Sequence, residues 1–373
     1  MRYQGFMPRP LRAPLPGPRF PVPALLTVLM LVLLPATPAR PGTPGDRGDA
    51  PVVPDLTEMT GRIEVDAMEY PWSAIGRVNV GGRGHCTGFL IGPRSVLTAA
   101  HCLYDRRAGR WRGAIELHFV AGYQRDRAIL HAPVADYVRS SRFDPRAAPS
   151  RADATADWAV LTLTRPLGRD AGWLGLRRLD AALLSEIRTG RASLLQAGYR
   201  RGWTHIMSLG IGCTVIGRFA KGRGIVHDCD VAKGDSGSPL LVLSREGALG
   251  VIGMHVIDVR HGSRNAAGAL LLATLGPGSA DAEAAPILRR AGAVWDDGRP
   301  PADGSPARRR PAHTVMQLLA RLGRLPAPAG TANQTEAIAA FEAKVGLPVT
   351  GRPSMALLGR LIAALPALPP VSR

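Results

Sequence analysis

The sequence predicts an all-β body followed by a small helical tail, and three observations carry that expectation. Between about residue 63 and residue 285, short apolar runs alternate with turns rich in Gly, Pro, Asp and Ser. Runs of that length and spacing read as the strands of a barrel or sandwich. After about residue 313 the apolar positions recur three and four apart, the period of amphipathic helices. The chain has 373 residues and is 46% hydrophobic, enough to bury a sizeable core and to form two or more domains.

Taken in order, residues 1–39 read as an export signal. Arg2, Arg9, Arg12 and Arg19 form a basic leader, and the run from Ala24 to Leu34 is an apolar core of signal-peptide length. It is short for a bilayer span. Thr37 and Ala39 supply the small residues of a cleavage site, with an uncleaved anchor as the alternative. Residues 40–62, rich in Pro, Gly and Asp, read as a propeptide or spacer. Strands are expected over Gly88–Leu97, Ile115–Ala121, Ala159–Leu163, Ser193–Ala197, Ser238–Leu243 and Leu249–Val256. Residues 286–312, ending in Arg308-Arg309-Arg310-Pro311, read as a linker. In the tail, Val315, Leu318, Leu319 and Leu322 mark one helix stopped at Gly323. Thr335 opens a second helix that ends at Gly346, and Ser354 caps a third carrying Leu357, Leu358, Leu361 and Ile362.

The chemistry centres on Gly234-Asp235-Ser236-Gly237-Ser238-Pro239. Glycines flanking a serine allow a tight turn with an exposed hydroxyl, and the N–H groups of Gly234 and Ser236 can converge on an oxyanion. A serine nucleophile needs a base, and the base needs an orienting carboxylate. His101 lies in Val96-Leu97-Thr98-Ala99-Ala100-His101-Cys102, and Asp157 in Asp157-Trp158-Ala159-Val160-Leu161. Each segment alone also reads as ordinary structure, a buried histidine or a turn-capping aspartate. Together, in the order His, Asp, Ser, they resemble the trypsin-like (chymotrypsin-fold) serine proteases over roughly residues 63–285. The form of the serine motif is similar to that of the bacterial glutamyl-endopeptidase branch.

The resemblance implies a chymotrypsin-like pair of six-stranded β-barrels with His101, Asp157 and Ser236 in the cleft between them. It implies hydrolysis of protein or peptide substrates with no cofactor and no metal. It also implies a maturation switch, in which cleavage after Arg62 frees an ammonium at Ile63 to pair with Asp235. Its implications for the specificity pocket conflict. Asp230, six residues before Ser236, matches an acid that selects Arg or Lys. His255, in Ile252-Gly253-Met254-His255-Val256, matches a histidine that favours Glu or Asp, and Val231 stands where that branch usually carries a hydroxyl. An apolar preference, with both groups structural, is the third possibility.

Four cysteines fall in two pairs of similar spacing, Cys86 with Cys102 and Cys213 with Cys229. With export they read as two disulfides, each closing a loop of about 15 residues and contributing on the order of 3 kcal/mol. No Cys-x-x-Cys spacing suggests zinc. His85 and His227 read as surface or strand residues, and His118, His131, His205, His261 and His313 have no metal partner at a recognisable spacing. The net charge is +18. Arginines scattered along the chain, without interleaved aromatics, argue against a nucleic-acid groove. They read as a compositional bias that also favours anionic polymers. The tail, about residues 313–366, resembles the small three-helix peptidoglycan-binding domain, through Gln317-Leu318-Leu319, Thr335-Glu336-Ala337-Ile338, Phe341, Gly346-Leu347 and Thr350-Gly351. It departs at Glu342, where a glutamine is usual. With the export signal it implies a secreted or periplasmic enzyme associated with the cell wall and peptidoglycan, the alternative being a catalytically silent wall-binding or adhesion protein with a protease-like domain.

Overall fold

The computed structural model describes residues 62–295, 311–325 and 330–365, apart from residues 83, 126, 129, 148–149, 152, 262–263 and 280. The expected export signal and most of the spacer and linker lie outside the described residues. Among the described residues there are sixteen strands: β1 Arg62–Glu64, β2 Ile75–Val80, β3 His85–Leu90, β4 Ser95–Thr98, β5 Tyr104–Asp105, β6 Arg110–Trp111, β7 Leu117–Ala121, β8 Leu130–Arg139, β9 Ala159–Leu163, β10 Ala192–Gly198, β11 Ser208–Cys213, β12 Val215–Phe219, β13 Gly224–His227, β14 Pro239–Ser244, β15 Leu249–His261 and β16 Arg264–Leu271. The helices are α1 Gly168–Ala171, α2 Ala181–Arg188, α3 Ala284–Arg290, α4 Ala312–Arg321, α5 Thr331–Lys344 and α6 Met355–Ala364. Among the described residues no helix is long and apolar enough to cross a membrane.

One closed barrel forms, in the order β2-β3-β4-β9-β8-β7. Apolar residues from its strands, including Val78, Phe89, Leu97, Phe119 and Leu161, fill it. The second expected barrel is instead an eight-stranded sheet, β1-β11-β10-β14-β15-β16-β13-β12. Its edges are β1 and β12, because β1 takes the edge of β11 that a closure would need. The run expected as one strand over Gly88–Leu97 divides into β3 and β4, whose hairpin pairs Phe89 with Leu97.

The folded body runs beyond the expected boundary at 285. Helix α3 buries Ala284 and Leu288, and Leu176 bridges to Trp295. The first ten residues assigned to a linker are therefore packed structure, because the apolar face of α3 has a partner. The three tail helices form, with Gly323 and Gly346 in the left-handed region just past α4 and α5. Helix α5 begins at Thr331 rather than Thr335. The Ser354 side chain caps α6, accepting from Leu357 N at 3.1 Å. Glu342 lies near the end of α5. It is buried and accepts from Thr350 N at 2.6 Å, Thr350 Oγ1 at 2.8 Å and Gly351 N at 2.9 Å.

These helices pack directly against the β-body. Leu318, Leu319, Leu357, Leu358 and Leu361 belong to the same buried apolar cluster as Trp72 and Phe89. Trp72 Nε1 donates to Thr314 Oγ1 at 3.1 Å, and Glu69 Oε1 accepts the His313 N–H at 2.8 Å. At Gly359 a Cβ would lie 2.2 Å from the Ser244 carbonyl, so α6 sits in backbone contact with the end of β14. A fully buried leucine contributes about 1.5–3 kcal/mol, which makes this docking a substantial part of the fold.

Candidate active site

His101 and Asp157 reach one end of the closed barrel through the pairing of β4 with β9. Thr98, at the end of β4, is opposite Ala159, at the start of β9. His101 follows Thr98 on the 3-10 turn Ala100–Leu103, and Asp157 precedes Ala159. The Cys86–Cys102 disulfide ties that turn to β3. The carboxylate of Asp157 is nearly buried and holds the histidine at two points. Oδ2 lies 2.5 Å from His101 Nδ1, and Oδ1 accepts the His101 backbone N–H at 2.8 Å. This fixes the ring and the tautomer, leaving Nε2 as the free nitrogen. Burial pushes the His101 pKa down, but the adjacent Asp157 charge and hydrogen bond outweigh it and the net shift is upward. Trp158 is fully buried beside Asp157 and donates to Asp281 Oδ2 at 3.2 Å, consistent with a wall between the carboxylate and water.

Ser236 lies on the turn before β14 and is partly buried. Its carbonyl accepts the Thr87 N–H of β3 at 2.9 Å, and Gly237 N donates to the His255 carbonyl at 2.8 Å. Gly237 has φ +81, and a Cβ there would come within 2.3 Å of the Thr87 carbonyl and 3.0 Å of Ala99 N. Only glycine fits this approach, and Ala99 lies just before the turn that carries His101. Sheet and barrel thus meet where the serine turn lies against Thr87, Thr98 and Ala99. Among the described residues no hydrogen bond joins Ser236 Oγ to the imidazole; such contacts are commonly long in unliganded sites and tighten around substrate.

Gly234 has φ +99, and a Cβ there would meet the Tyr199 carbonyl at 2.3 Å. The N–H of Asp235, between Gly234 and Ser236, is bonded to the Ala232 carbonyl at 3.0 Å. Among the described residues the N–H groups of Gly234 and Ser236 have no acceptor. Two unclaimed donors around a bonded one make a concavity that suits an anion.

The chain is uncleaved here, so Ile63 presents no ammonium to Asp235. Ile63 is internal to β1, opposite Leu209 and fully buried. The cation beside Asp235 is the Arg62 guanidinium, with Nη2 3.5 Å from Oδ1, and both side chains are buried. Asp235 Oδ2 accepts Ala232 N at 3.0 Å. The uncleaved chain keeps Ile63 in its ladder, so the side chain of the preceding residue fills the place that the maturation switch reserves for a new amino terminus.

Asp230 is also engaged: Arg200 Nη1 is 2.5 Å from its Oδ2. Val231 is partly buried and packs against an apolar cluster that includes Ile225 and Leu240. His255 is 4% exposed, with no partner on Nδ1 among the described residues and only a 3.7 Å approach of Nε2 to Asp258. Its ring lies 6.3 Å from that of His227, edge to face. His227 is wholly buried, neither ring nitrogen has a partner among the described residues, and burial pushes its pKa down to about 3. Burial likewise lowers the His255 pKa, against the opposing charges of Asp235 and Asp258. The Cys213–Cys229 disulfide anchors the segment leading into Asp230. The sulfurs of Cys86 and Cys102 lie close to His101, but both are consumed in the disulfide and offer no thiolate to a metal.

Sequence reasoning missed Arg62, Arg200 and His227. Arg62 is visible only as a basic residue before Ile63, and the partners of the other two are remote in the chain.

The trypsin family model matches residues 60–269, more than half of the chain. A glutamyl endopeptidase of Bacillus licheniformis is 28% identical over 173 residues, covering 46% of this chain and 49% of that protein. A CLIP domain-containing serine protease of Bombyx mori is 31% identical over 118 residues, 28% of this chain and 31% of that one. An extracellular metalloprotease of Bacillus subtilis is 28% identical over 97 residues, 26% of this chain and 29% of that one. The chain thus spans about half the length, or less, of the curated relatives it matches. A solved structure of a Glu endopeptidase in complex with MPD aligns with 62% of this chain and 94% of that chain, at 19% identity and a TM-score of 0.46. By the family match across its β-body, the chain belongs to the trypsin family.

Proposed function

We propose that this chain is an exported serine endopeptidase that cleaves after acidic residues, with Ser236 as nucleophile, His101 as base and Asp157 as its orienting carboxylate. The observation that carries this reading is the two-point grip of Asp157 on His101, set against a serine turn with two unclaimed N–H donors. Ser236 Oγ attacks the peptide carbonyl as His101 Nε2 takes its proton. The C–O bond forms, and the carbonyl electrons move to an oxyanion held by the N–H groups of Gly234 and Ser236. Imidazolium, stabilised by Asp157, then protonates the leaving amine, the C–N bond breaks and an acyl-enzyme remains. Water, activated by the same histidine, releases the acid and restores Ser236.

The acidic preference rests on the state of the pocket residues. Asp230 is already neutralised by Arg200, so a substrate Arg or Lys would have to displace a bidentate-capable guanidinium. His255 is buried with ring nitrogens that lack a good acceptor. A substrate carboxylate supplies one and draws a proton onto the imidazole, and the polarisable His227 ring behind it adds support. The paired cysteines fit an oxidising, extracellular setting.

The three-helix tail is proposed to hold the enzyme at peptidoglycan. Support comes from its helix pattern and from a cavity of about 520 Å3 lined by Glu342, Leu347, Thr350 and Arg352. Because the tail shares its core with the β-body, its binding is best measured on the full chain. Ser236→Ala protein retained on purified peptidoglycan no better than a matched basic protein removes that part of the reading. A fluorophosphonate probe tests the rest. Labelling at Ser236, lost in His101→Ala, supports the nucleophile, and an unlabelled mature protein overturns it. A peptide-library profile reads the residue before the cut, with Glu or Asp expected.

A further inference from the structure

We infer that Arg62 is a positioning residue for the oxyanion donors, so that this enzyme reaches its active arrangement without a new amino terminus at Ile63. The inference rests on the proposed function and adds to it how the serine turn is ordered.

The guanidinium of Arg62 is 1% exposed and each of its nitrogens is used. Nε donates to Ser208 Oγ at 2.9 Å and Nη2 to the Ser208 carbonyl at 2.7 Å. Nη1 donates to Gln196 Oε1 and, at 2.7 Å, to the Asp230 carbonyl. Nη2 also faces Asp235 Oδ1 at 3.5 Å. That oxygen has no hydrogen bond among the described residues, so Arg62 is its counter-charge. One side chain therefore joins the backbone of the pocket wall at Asp230 to the carboxylate between the two oxyanion donors. A buried carboxylate left without its cation is costly, by several kcal/mol, and rotating Asp235 outward would carry Gly234 and Ser236 with it.

The neighbouring residues lock Arg62 in place. Ile63 is fully buried, and Glu64 accepts from Gln124 Nε2 at 2.7 Å and pairs with Arg125 at 2.7 Å. In β1, Arg62 is opposite Gly210 and Ile63 opposite Leu209. A processing protease needs an extended, accessible segment, and the bond after Arg62 offers none. Removal of any leader must therefore occur upstream of Arg62. A guanidinium also differs from an amino terminus in its titration. Arg stays charged across the working range, whereas an α-amino group titrates near pH 8. The charged groups facing the cluster are Asp235, Asp230, Arg200 and His255.

The test uses the full chain, matured by its own route, with serine labelling as the check on the nucleophile. Arg62→Gln is expected to lower kcat by about 10^2-fold, the scale of one lost oxyanion donor, with KM for a small ester little changed. Arg62→Lys is expected to recover much of that loss at pH 6–7, and its activity relative to the parent at the same pH is expected to fall as pH rises towards 10. Amino-terminal sequencing of the active, labelled enzyme is expected to find a first residue at or before Arg62. An active form that begins at Ile63, or Arg62→Gln and Arg62→Lys proteins that match the parent at every pH, overturns the inference. If Arg62→Gln does not fold, the Lys variant and the sequencing decide. Absence of labelling in the parent enzyme instead defeats the nucleophile assignment and is told apart by that control.

Discussion

The closed barrel and the eight-stranded sheet contribute to the site in different ways. The barrel is apolar inside and delivers His101 and Asp157 at one end, through the β4–β9 pairing and the Cys86–Cys102 bond. The sheet buries Arg62, Gln196, Ser208, His227, Asp235, Ser238 and His255. Most of those groups satisfy or charge one another, as in the Arg62 cluster and the contact of Gln196 Nε2 with Ser238 Oγ at 2.5 Å, whereas His227 and His255 keep ring nitrogens without a hydrogen bond among the described residues. In the proposed mechanism the barrel is a bracket for the base, and the sheet surrounds the nucleophile turn and the pocket with buried polar groups. Buried polar networks carry high stakes, since one missing member strands the others.

The largest expected effects fall where the two regions meet. Ser236→Ala or His101→Ala should lower kcat by about 10^6-fold, as expected when one member of a concerted set is lost, measured on a peptide ester with the labelled parent as reference. Residual turnover within tenfold of the parent would break the proposed division of labour. On the barrel side, Asp157→Asn should cost about 10^4-fold in kcat. The pH profile sharpens this. His101 must be neutral to accept a proton, and Asp157 raises its pKa. Activity in the parent should climb as pH passes through that raised value, and the rise should move to lower pH in Asp157→Asn.

On the sheet side, His255→Leu should reduce kcat/KM for Glu substrates by about 10^2-fold, the scale of 1–3 kcal/mol for a lost polar partner, while sparing an apolar ester. Equal losses on both substrates would make His255 a packing residue. Replacing Cys213 and Cys229 by Ser should destabilise the fold by about 2–4 kcal/mol, read by urea unfolding.

The smallest effect concerns the tail. Burial raises the Glu69 pKa to about 7, against the hydrogen bonds from the start of α4, with Asp66 adding to the rise. A carboxyl with a raised folded-state pKa contributes stability that is complete below its unfolded value and is lost as pH rises through about 7. Thermal stability of the parent should therefore fall between pH 5 and pH 8 more than that of Glu69→Gln.

Local chemistry was legible from the sequence wherever neighbours in the chain determine it. Ala159–Leu163 is a strand with the expected bounds, Ser354 caps its helix, and both cysteine pairs join as their spacing suggests. Asp157 holds His101 as the motif order suggests, and the serine turn approaches the strand leading to His101 through Gly237 beside Thr98 and Ala99. What the sequence hid depends on long-range pairing. The edge taken by β1, the Arg62–Asp235 pair and the Arg200–Asp230 pair join residues far apart, with no periodic signal. His227 was passed over because an isolated histidine carries no mark of complete burial. The pocket ambiguity had the same origin: Asp230 reads as an available anion until its guanidinium partner is seen.

The contact of Gly359 with the Ser244 carbonyl has a consequence for biosynthesis. A polypeptide emerges amino end first, so the serine turn leaves the synthesis machinery more than a hundred residues ahead of α6. Until α6 arrives to roof β14, the apolar surface beneath it stays wet. Closure of the hydrophobic core at this edge is thereby a late event, dependent on a segment far downstream of the strands it covers.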